Sequence, residues 1–213
     1  MKRLALSLLL LMLVGGTHAL LLTGRPLQPA APEGDARVDL AGRILAVPRE
    51  LMRDRAQMAG GRLDRLDLVV GIADFAAPPP SPARSGAHGP QPGRLAIVVR
   101  PAGPEPDAAT LFQNVHARFL AREAWSNPGG LVMRRFRPGT PYEDRELYLG
   151  AGGHGIFVAL CPRESLDDAE PCRATLRQDG LEIELRFAPA DLPEWRRITA
   201  GATRLVAGFA ARG

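Results

Sequence analysis

The residues whose types could do chemistry gather in the second half of the chain. Gly150-Ala151-Gly152-Gly153-His154-Gly155 has the glycine spacing of a dinucleotide-binding loop, and a predicted strand precedes it. In such a site the next element must be a helix, whose first N–H groups hold the pyrophosphate. Here the apolar run Ile156-Phe157-Val158-Ala159-Leu160 follows and reads as a strand. A glycine-rich turn between two strands therefore accounts for these residues, and no cofactor is expected. His154 is the one histidine that such a turn would expose for catalysis, although a solvated turn histidine is the simpler account. Tyr142-Glu143-Asp144-Arg145-Glu146 collects three carboxylates. Neighbours on an extended chain point to opposite sides, whereas a glycosidase-like pair must face each other, so this segment reads as a solvated turn. Ser165 sits among Glu164, Asp167 and Asp168 without a G-x-S-x-G elbow. His18, His88, His116 and His154 show no ligand spacing, and no metal is expected. No residue is assigned a catalytic, cofactor-binding or metal-binding role.

Cys161 and Cys172 are the only cysteines. In an exported protein an even count at close spacing reads as a disulfide. Export is argued from the first residues. Lys2 and Arg3 precede Leu4 to Leu22, a stretch free of Asp, Glu, Lys and Arg. At about 1.5 Å of rise per helical residue it nearly crosses the hydrocarbon core of a bilayer. Cleavage after Thr17-His18-Ala19 would make it a signal peptide and release a periplasmic or secreted product. That cut leaves Leu20-Leu21-Leu22 as an apolar terminus, so an uncleaved signal anchor is expected. Residues 1–24 are then a transmembrane helix in the inner (cytoplasmic) membrane, with the N-terminus in the cytoplasm. Residues 25–36, with Pro26, Pro29 and Pro32, form a spacer, and 37–213 form a single extracytoplasmic domain in the periplasm.

Charge excludes one class of function. Of 27 Lys and Arg, two belong to the leader, which leaves 25 against 23 acidic residues. Nucleic-acid binding requires a concentrated basic face, and an exported domain seldom meets nucleic acid. The arginines from Arg49 to Arg65, with Arg134, Arg135 and Arg137, are the residues that could meet anionic headgroups. Glu50, Asp54, Asp64 and Asp67 are interspersed among them.

The elements that would position these residues follow from periodicity. Val38 to Val47 reads as a strand, Arg49 to Gly61 as a loop or short helix, and Leu66, Leu68, Val70 and Ile72 as one face of a second strand. Residues 76–93 hold six prolines and form a flexible Pro/Gly-rich loop between neighbouring strands. Arg94 to Arg100 is a third strand. Asp107 caps a helix that carries Leu111, Phe112, Val115 and Phe119 and stops at Asn127-Pro128-Gly129-Gly130. Leu131 to Phe136 and Glu146 to Leu149 are short strands. Asp179-Gly180 makes a two-residue hairpin turn, which sets Arg177 opposite Glu182 and Cys172 opposite Phe187 on the core face. Asp191 caps a last helix with the stripe Trp195, Ile198, Ala202, Leu205 and Phe209. The expected fold class is α+β: a mostly antiparallel sheet of about six to seven strands with two packed helices, preceded by the transmembrane helix.

Val47-Pro48-Arg49-Glu50-Leu51-Met52-Arg53, Gly60-Gly61-Arg62-Leu63-Asp64-Arg65-Leu66-Asp67-Leu68, Pro141-Tyr142-Glu143-Asp144 and the Cys161/Cys172 hairpin together resemble a group of small proteobacterial single-pass membrane proteins of no known activity. Ile72-Ala73-Asp74-Phe75 departs from that group's usual pattern. The resemblance implies a bacterial membrane protein and brings no cofactor or catalytic residue. The expected function is non-enzymatic binding of another cell-envelope component, most simply a protein. An envelope hydrolase or transferase with a site near His154, and a lipid- or polysaccharide-binding module, are the alternatives.

Overall fold

Alternation of apolar and polar residues builds most of this chain. The structure, a computed structural model, describes residues 34–79, 91–152, 155–163 and 170–212. Strands β1 (Asp35–Leu40) and β2 (Arg43–Pro48) form a hairpin, which the two-residue β3 (Gly61–Arg62) joins in parallel beside β1. The single strand expected over Val38 to Val47 is thus two. The chain reverses at Ala41-Gly42, with Ala41 at φ +52° and the Gly42 N–H donating to Asp39 Oδ1 at 2.6 Å. Alternation continues through both arms, so nothing in it marks the turn.

The remaining strands are β4 (Leu66–Gly71), β5 (Arg94–Pro101), β6 (Leu120–Asn127), β7 (Leu131–Phe136), β8 (Arg145–Gly152), β9 (Gly155–Pro162), β10 (Cys172–Gln178) and β11 (Leu181–Phe187). They form one antiparallel sheet in the order β4-β5-β11-β10-β9-β8-β7-β6. The fold is α+β with eleven strands among the described residues, more than the six to seven expected. Three of the extra strands come from the split first hairpin, from β3 and from β6.

Strand β6 replaces the second half of an expected helix. Asp107 does cap helix α1 (Ala108–Asn114), its Oδ1 accepting from the Thr110 N–H at 2.7 Å. The helix nevertheless ends at Asn114, a 3-10 turn carries the chain over His116–Phe119, and residues 120–127 pair with β7. Helix α2 (Trp195–Arg212) follows a 3-10 turn at Pro189–Glu194. Asp191 does not cap it. Both carboxylate oxygens accept from the Gly93 N–H, at 3.0 and 2.9 Å, and burial holds this carboxyl above its ordinary range despite that bond. The buried stripe of α2 is Trp195, Ile198, Ala202, Val206 and Phe209, with Leu205 at its margin.

The two faces of the sheet carry different cores. One core joins the β1–β2 hairpin, α2 and one face of the sheet through Leu66, Leu68, Leu95, Ile97, Ile183, Leu185, Phe157 and Ala159. The other, smaller core packs Phe112, Phe119 and Tyr142 onto Phe136, Leu147, Val158 and Leu160 of the opposite face. Successive strand residues point to opposite faces, so β8 and β9 serve both cores at once. The 172–187 hairpin has the expected register, and Cys161 and Cys172 are disulfide-bonded and buried on the first face. Arg177 does lie against Glu182, and Arg100 of β5 joins from the other side, its Nε 2.9 Å from Glu182 Oε1. Burial pushes the Glu182 carboxyl up, but hydrogen bonds from Arg100 and Arg177 outweigh it and hold it below its ordinary range.

The ends of the 76–93 segment are tied down: the Gly71 N–H donates to Ala76 O, and the Ile72 N–H to Gly93 O. Residues 80–90 lie outside the described residues, as do Leu4–Leu22. Among the described residues no helix is long and apolar enough to cross a membrane.

Candidate binding surface

Among the described residues, those singled out for chemistry are not brought together. His154, Ser165, Glu164, Asp167 and Asp168 lie outside the described residues. The element after this segment is the strand β9, as expected, but Gly150 and Gly152 lie within β8 and not in the turn. The glycines serve a side chain: a Cβ at Gly150 would stand 2.8 Å from the Trp195 ring, and one at Gly152 would stand 3.3 Å from it. The indole rests on this bare backbone, stacks on Phe157 at 4.8 Å and donates from Nε1 to Gly129 O at 2.9 Å. His116 is 4% exposed, edge-on to Tyr142 at 5.0 Å and to Phe136 at 5.9 Å, and burial pushes its pKa below the ordinary histidine value. Among the described residues no group of three or more His, Cys, Asp or Glu side chains could hold a metal ion.

The arginines are dispersed. Arg49 donates to Met58 O, Arg65 to Asp67, Arg134 to Ala121 O and Arg137 to Arg118 O. Arg134 and Arg135 are adjacent on β7 and so lie on opposite faces of the sheet. That pair cannot share one basic face of the sheet.

The turn at Tyr142–Glu146 divides. Glu143 and Asp144 are exposed, as a solvated turn predicts, but Glu146 is only 6% exposed and is not solvated. Its place in β8 sets it opposite Arg135 of β7 and opposite Cys161 of β9. Arg135 Nε donates to Glu146 Oε1 at 3.0 Å, and the Tyr148 hydroxyl donates to Oε2 at 2.9 Å. Held from below in this way, the Arg135 guanidinium lies 5.1 Å from the centre of the Trp125 ring. That distance is within the range of cation–π attraction.

Trp125 stands at the end of a row that crosses every strand of the eight-stranded sheet: Leu68, Ile97, Leu185, Ala174, Ala159, Tyr148, Met133, Trp125. The row is buried from Leu68 to Met133 and opens at Trp125, which is 38% exposed. The two edges of the sheet differ in the same sense. At β4, Met52 bridges to Leu68, the Arg53 N–H donates to Asp67 O, and Gln57 bonds Asp67 through both backbone and side chain. Strand β6 pairs only with β7 among the described residues, and Arg122 to Ser126 are exposed. An edge left unpaired among the described residues, with an exposed tryptophan backed by an anchored arginine, has the composition of a protein contact surface.

Sequence periodicity missed this surface because β6 points most of its side chains at solvent. A usable signal was present elsewhere. Pairing the two strands around Pro138-Gly139-Thr140 with the apolar residues in register sets Arg135 against Glu146, an opposite-charge pair.

No family model matches the chain, and no curated protein sequence matches it. Two solved structures are similar. Smlt3025, an immunity protein of the Stenotrophomonas maltophilia type IV secretion system, aligns with a TM-score of 0.60 at 15% identity, covering 87% of this chain and 97% of that one. The Neisseria meningitidis iron-regulated outer membrane lipoprotein FrpD aligns with a TM-score of 0.50 at 12% identity, covering 84% of this chain and 93% of that one. At these identities the likeness is one of fold: the chain shares the architecture of an immunity protein and of an outer membrane lipoprotein.

Proposed function

We propose that the protein is a non-enzymatic binding domain of the bacterial cell envelope, tethered to the inner membrane by Leu4–Leu22, whose partner is another envelope protein. The observation that carries this reading is Trp125 over Arg135 at an open sheet edge, with Arg135 fixed by the buried Glu146 and Tyr148. Tryptophan, tyrosine and arginine dominate the energetically critical positions of protein interfaces. Because Arg135 is already held, less side-chain freedom is lost when a partner packs on it. The open backbone of β6 adds hydrogen-bonding capacity beside this contact. The fold shared with a secretion-system immunity protein and an outer membrane lipoprotein supports an envelope role. A membrane tether would raise the effective concentration of such a surface near its partner.

The test is in-cell crosslinking followed by purification from membranes, comparing wild type with Trp125→Ala and Arg135→Ala. A discrete protein should be recovered with wild type and fall by about tenfold or more with each variant, as expected for hot-spot truncations. Circular dichroism should show both variants folded. A partner retained equally by folded Trp125→Ala and Arg135→Ala would refute the assigned surface. A soluble product beginning at Leu20 would refute the tether.

A further inference from the structure

Strands β9 and β10 are joined at one end and open at the other. The Cys161–Cys172 bridge ties them beside their only ladder pairs, Leu160 with Arg173 and Ala159 with Ala174. Continuing that register would set Val158 against Thr175, Phe157 against Leu176, Ile156 against Arg177 and Gly155 against Gln178, yet the ladder stops short of all four. On their other sides both strands are fully paired, β9 with β8 back to Gly155 and β10 with β11 out to Gln178. Among the described residues the sheet therefore contains a wedge in which two strand edges face each other without pairing.

A cavity of about 530 Å³ occupies this wedge, a size typical of ligand sites. On one face of the sheet Phe157 and Leu176 meet Thr199 and Thr203 of α2. On the other, Thr175 and Ile156 meet Asp107 and Ala108 at the start of α1. Ile156 is 48% exposed, unusual for an isoleucine in the interior of a sheet. Gln178 Oε1, also in the lining, is buried without a hydrogen-bond partner. Leaving a buried acceptor unsatisfied costs free energy that an incoming donor recovers.

We infer that this wedge binds an extended peptide segment of a partner protein, inserted as an additional strand between β9 and β10. Open ladder positions on two facing edges are complementary to a third backbone, which has donors and acceptors on both sides. The Gln178 amide adds an acceptor for a peptide N–H. Period-two geometry then fixes the side chains the segment should carry. Those directed toward α2 meet Phe157 and Leu176 and should be apolar. Those directed toward α1 meet Asp107, which caps the helix, while Arg177 in the same lining lies near Asp107 but is already held by Glu182 and Glu105 O, so these side chains should be basic. The occupant is thus a short strand alternating apolar and basic residues. The site involves none of the residues of the Trp125 surface.

The test uses the full-length chain in detergent and an acetylated heptapeptide alternating valine and lysine. Binding should be saturable, with hydrogen-exchange protection confined to residues 155–158 and 175–178. A glutamate-for-lysine version, and a version N-methylated at alternate residues, should each bind about tenfold or more weakly, from the loss of a charge-assisted bond or of backbone donors. Asp107→Asn keeps a good helix cap and should weaken the lysine peptide selectively. Trp125→Ala should leave peptide binding unchanged, which separates this site from the proposed partner surface. Absence of saturable binding, protection elsewhere, equal affinity of the N-methylated peptide, or loss of binding in Trp125→Ala would each overturn the inference.

Discussion

Gly150 offers a direct test of how this sheet is packed, because the structure gives both the clash and the reason it cannot be relieved. A Cβ placed there would lie 2.8 Å from Trp195 Cζ2, 2.9 Å from Leu131 Cδ2 and 3.0 Å from Trp195 Cη2. Carbon atoms in good contact stand about 3.5–4.0 Å apart, so the indole would have to withdraw by roughly half an ångström or more. It is held against such a move by its bond to Gly129 O, by the Phe157 ring and by the Arg196 guanidinium 4.4 Å from its ring centre. Overpacking of this kind costs about 1–3 kcal/mol, of which the removal of a strand glycine offsets about 0.5–1 kcal/mol. Gly150→Ala should therefore destabilise by about 1–2 kcal/mol. For a domain of this size that corresponds to a Tm lower by about 2–8 °C. Trp195→Phe gives up the bond to Gly129 and is destabilising alone, but its smaller ring makes room for the methyl group. The double variant should then be more stable than the sum of the singles predicts, by about 1 kcal/mol. Urea and thermal melts followed by circular dichroism measure all four corners of the cycle. Wild-type stability in Gly150→Ala, or strict additivity, would show that the glycine is not there for the indole.

Two further outcomes follow from the cores. The Cys161–Cys172 bridge spans a sequence separation of 11, and closing a loop that short stabilises by about 3 kcal/mol, so reduction should lower the Tm by several degrees while the fold survives. Thiol titration of denatured protein isolated without reductant checks the bond itself, and two reactive thiols would refute it. His116 is buried with Nδ1 unpartnered, and its pKa is lowered in the folded state. The unfolded chain then takes up this proton more readily, so the histidine's contribution is intact above the unfolded value of about 6.5 and is lost as pH falls below it. Urea midpoints at pH 7.5 and 5.5 should drop more in wild type than in His116→Phe. An equal drop in the two would refute the assignment.

What the sequence made legible was pairing between near neighbours. The 172–187 hairpin could be read to the residue because both arms alternate and Asp179 and Gly180, at φ +50° and +72°, are the residue types its turn requires. The first hairpin is built the same way, yet Ala41 carries no turn signature and the reversal was invisible. Helix α1 was legible at its cap and not at its end, since residues 120–127 show solvent-facing side chains that suit a helix or a strand equally well. Only the β7 ladder decides between them, a tertiary preference overriding a local one. The glycines at 150 and 152 read as part of a turn but lie within β8, and the partner that requires them there, Trp195, lies far along the chain and on another element.

The binding readings depend on a different kind of information. Strand β6 matters because nothing among the described residues pairs with its outer side, and the β9–β10 wedge matters because four register positions go unused there. A sequence pattern specifies which residues are fit to pair. It does not specify which of them the rest of the fold leaves without a partner. In β9 every residue from Ile156 to Leu160 is apolar, and nothing local distinguishes Ala159, whose ladder to β10 is closed, from Phe157 or Ile156, whose ladder to β10 is open. The distinction arises from what flanks the gap. α1 and α2 pack against the two faces of the sheet beside it, and the disulfide closes one end and leaves the other free. Glu146 illustrates the same dependence on a smaller scale. As one of three carboxylates in a turn it has the look of a solvated acid, and only its register opposite Arg135 and its bond from Tyr148 turn it into the support of an exposed aromatic contact.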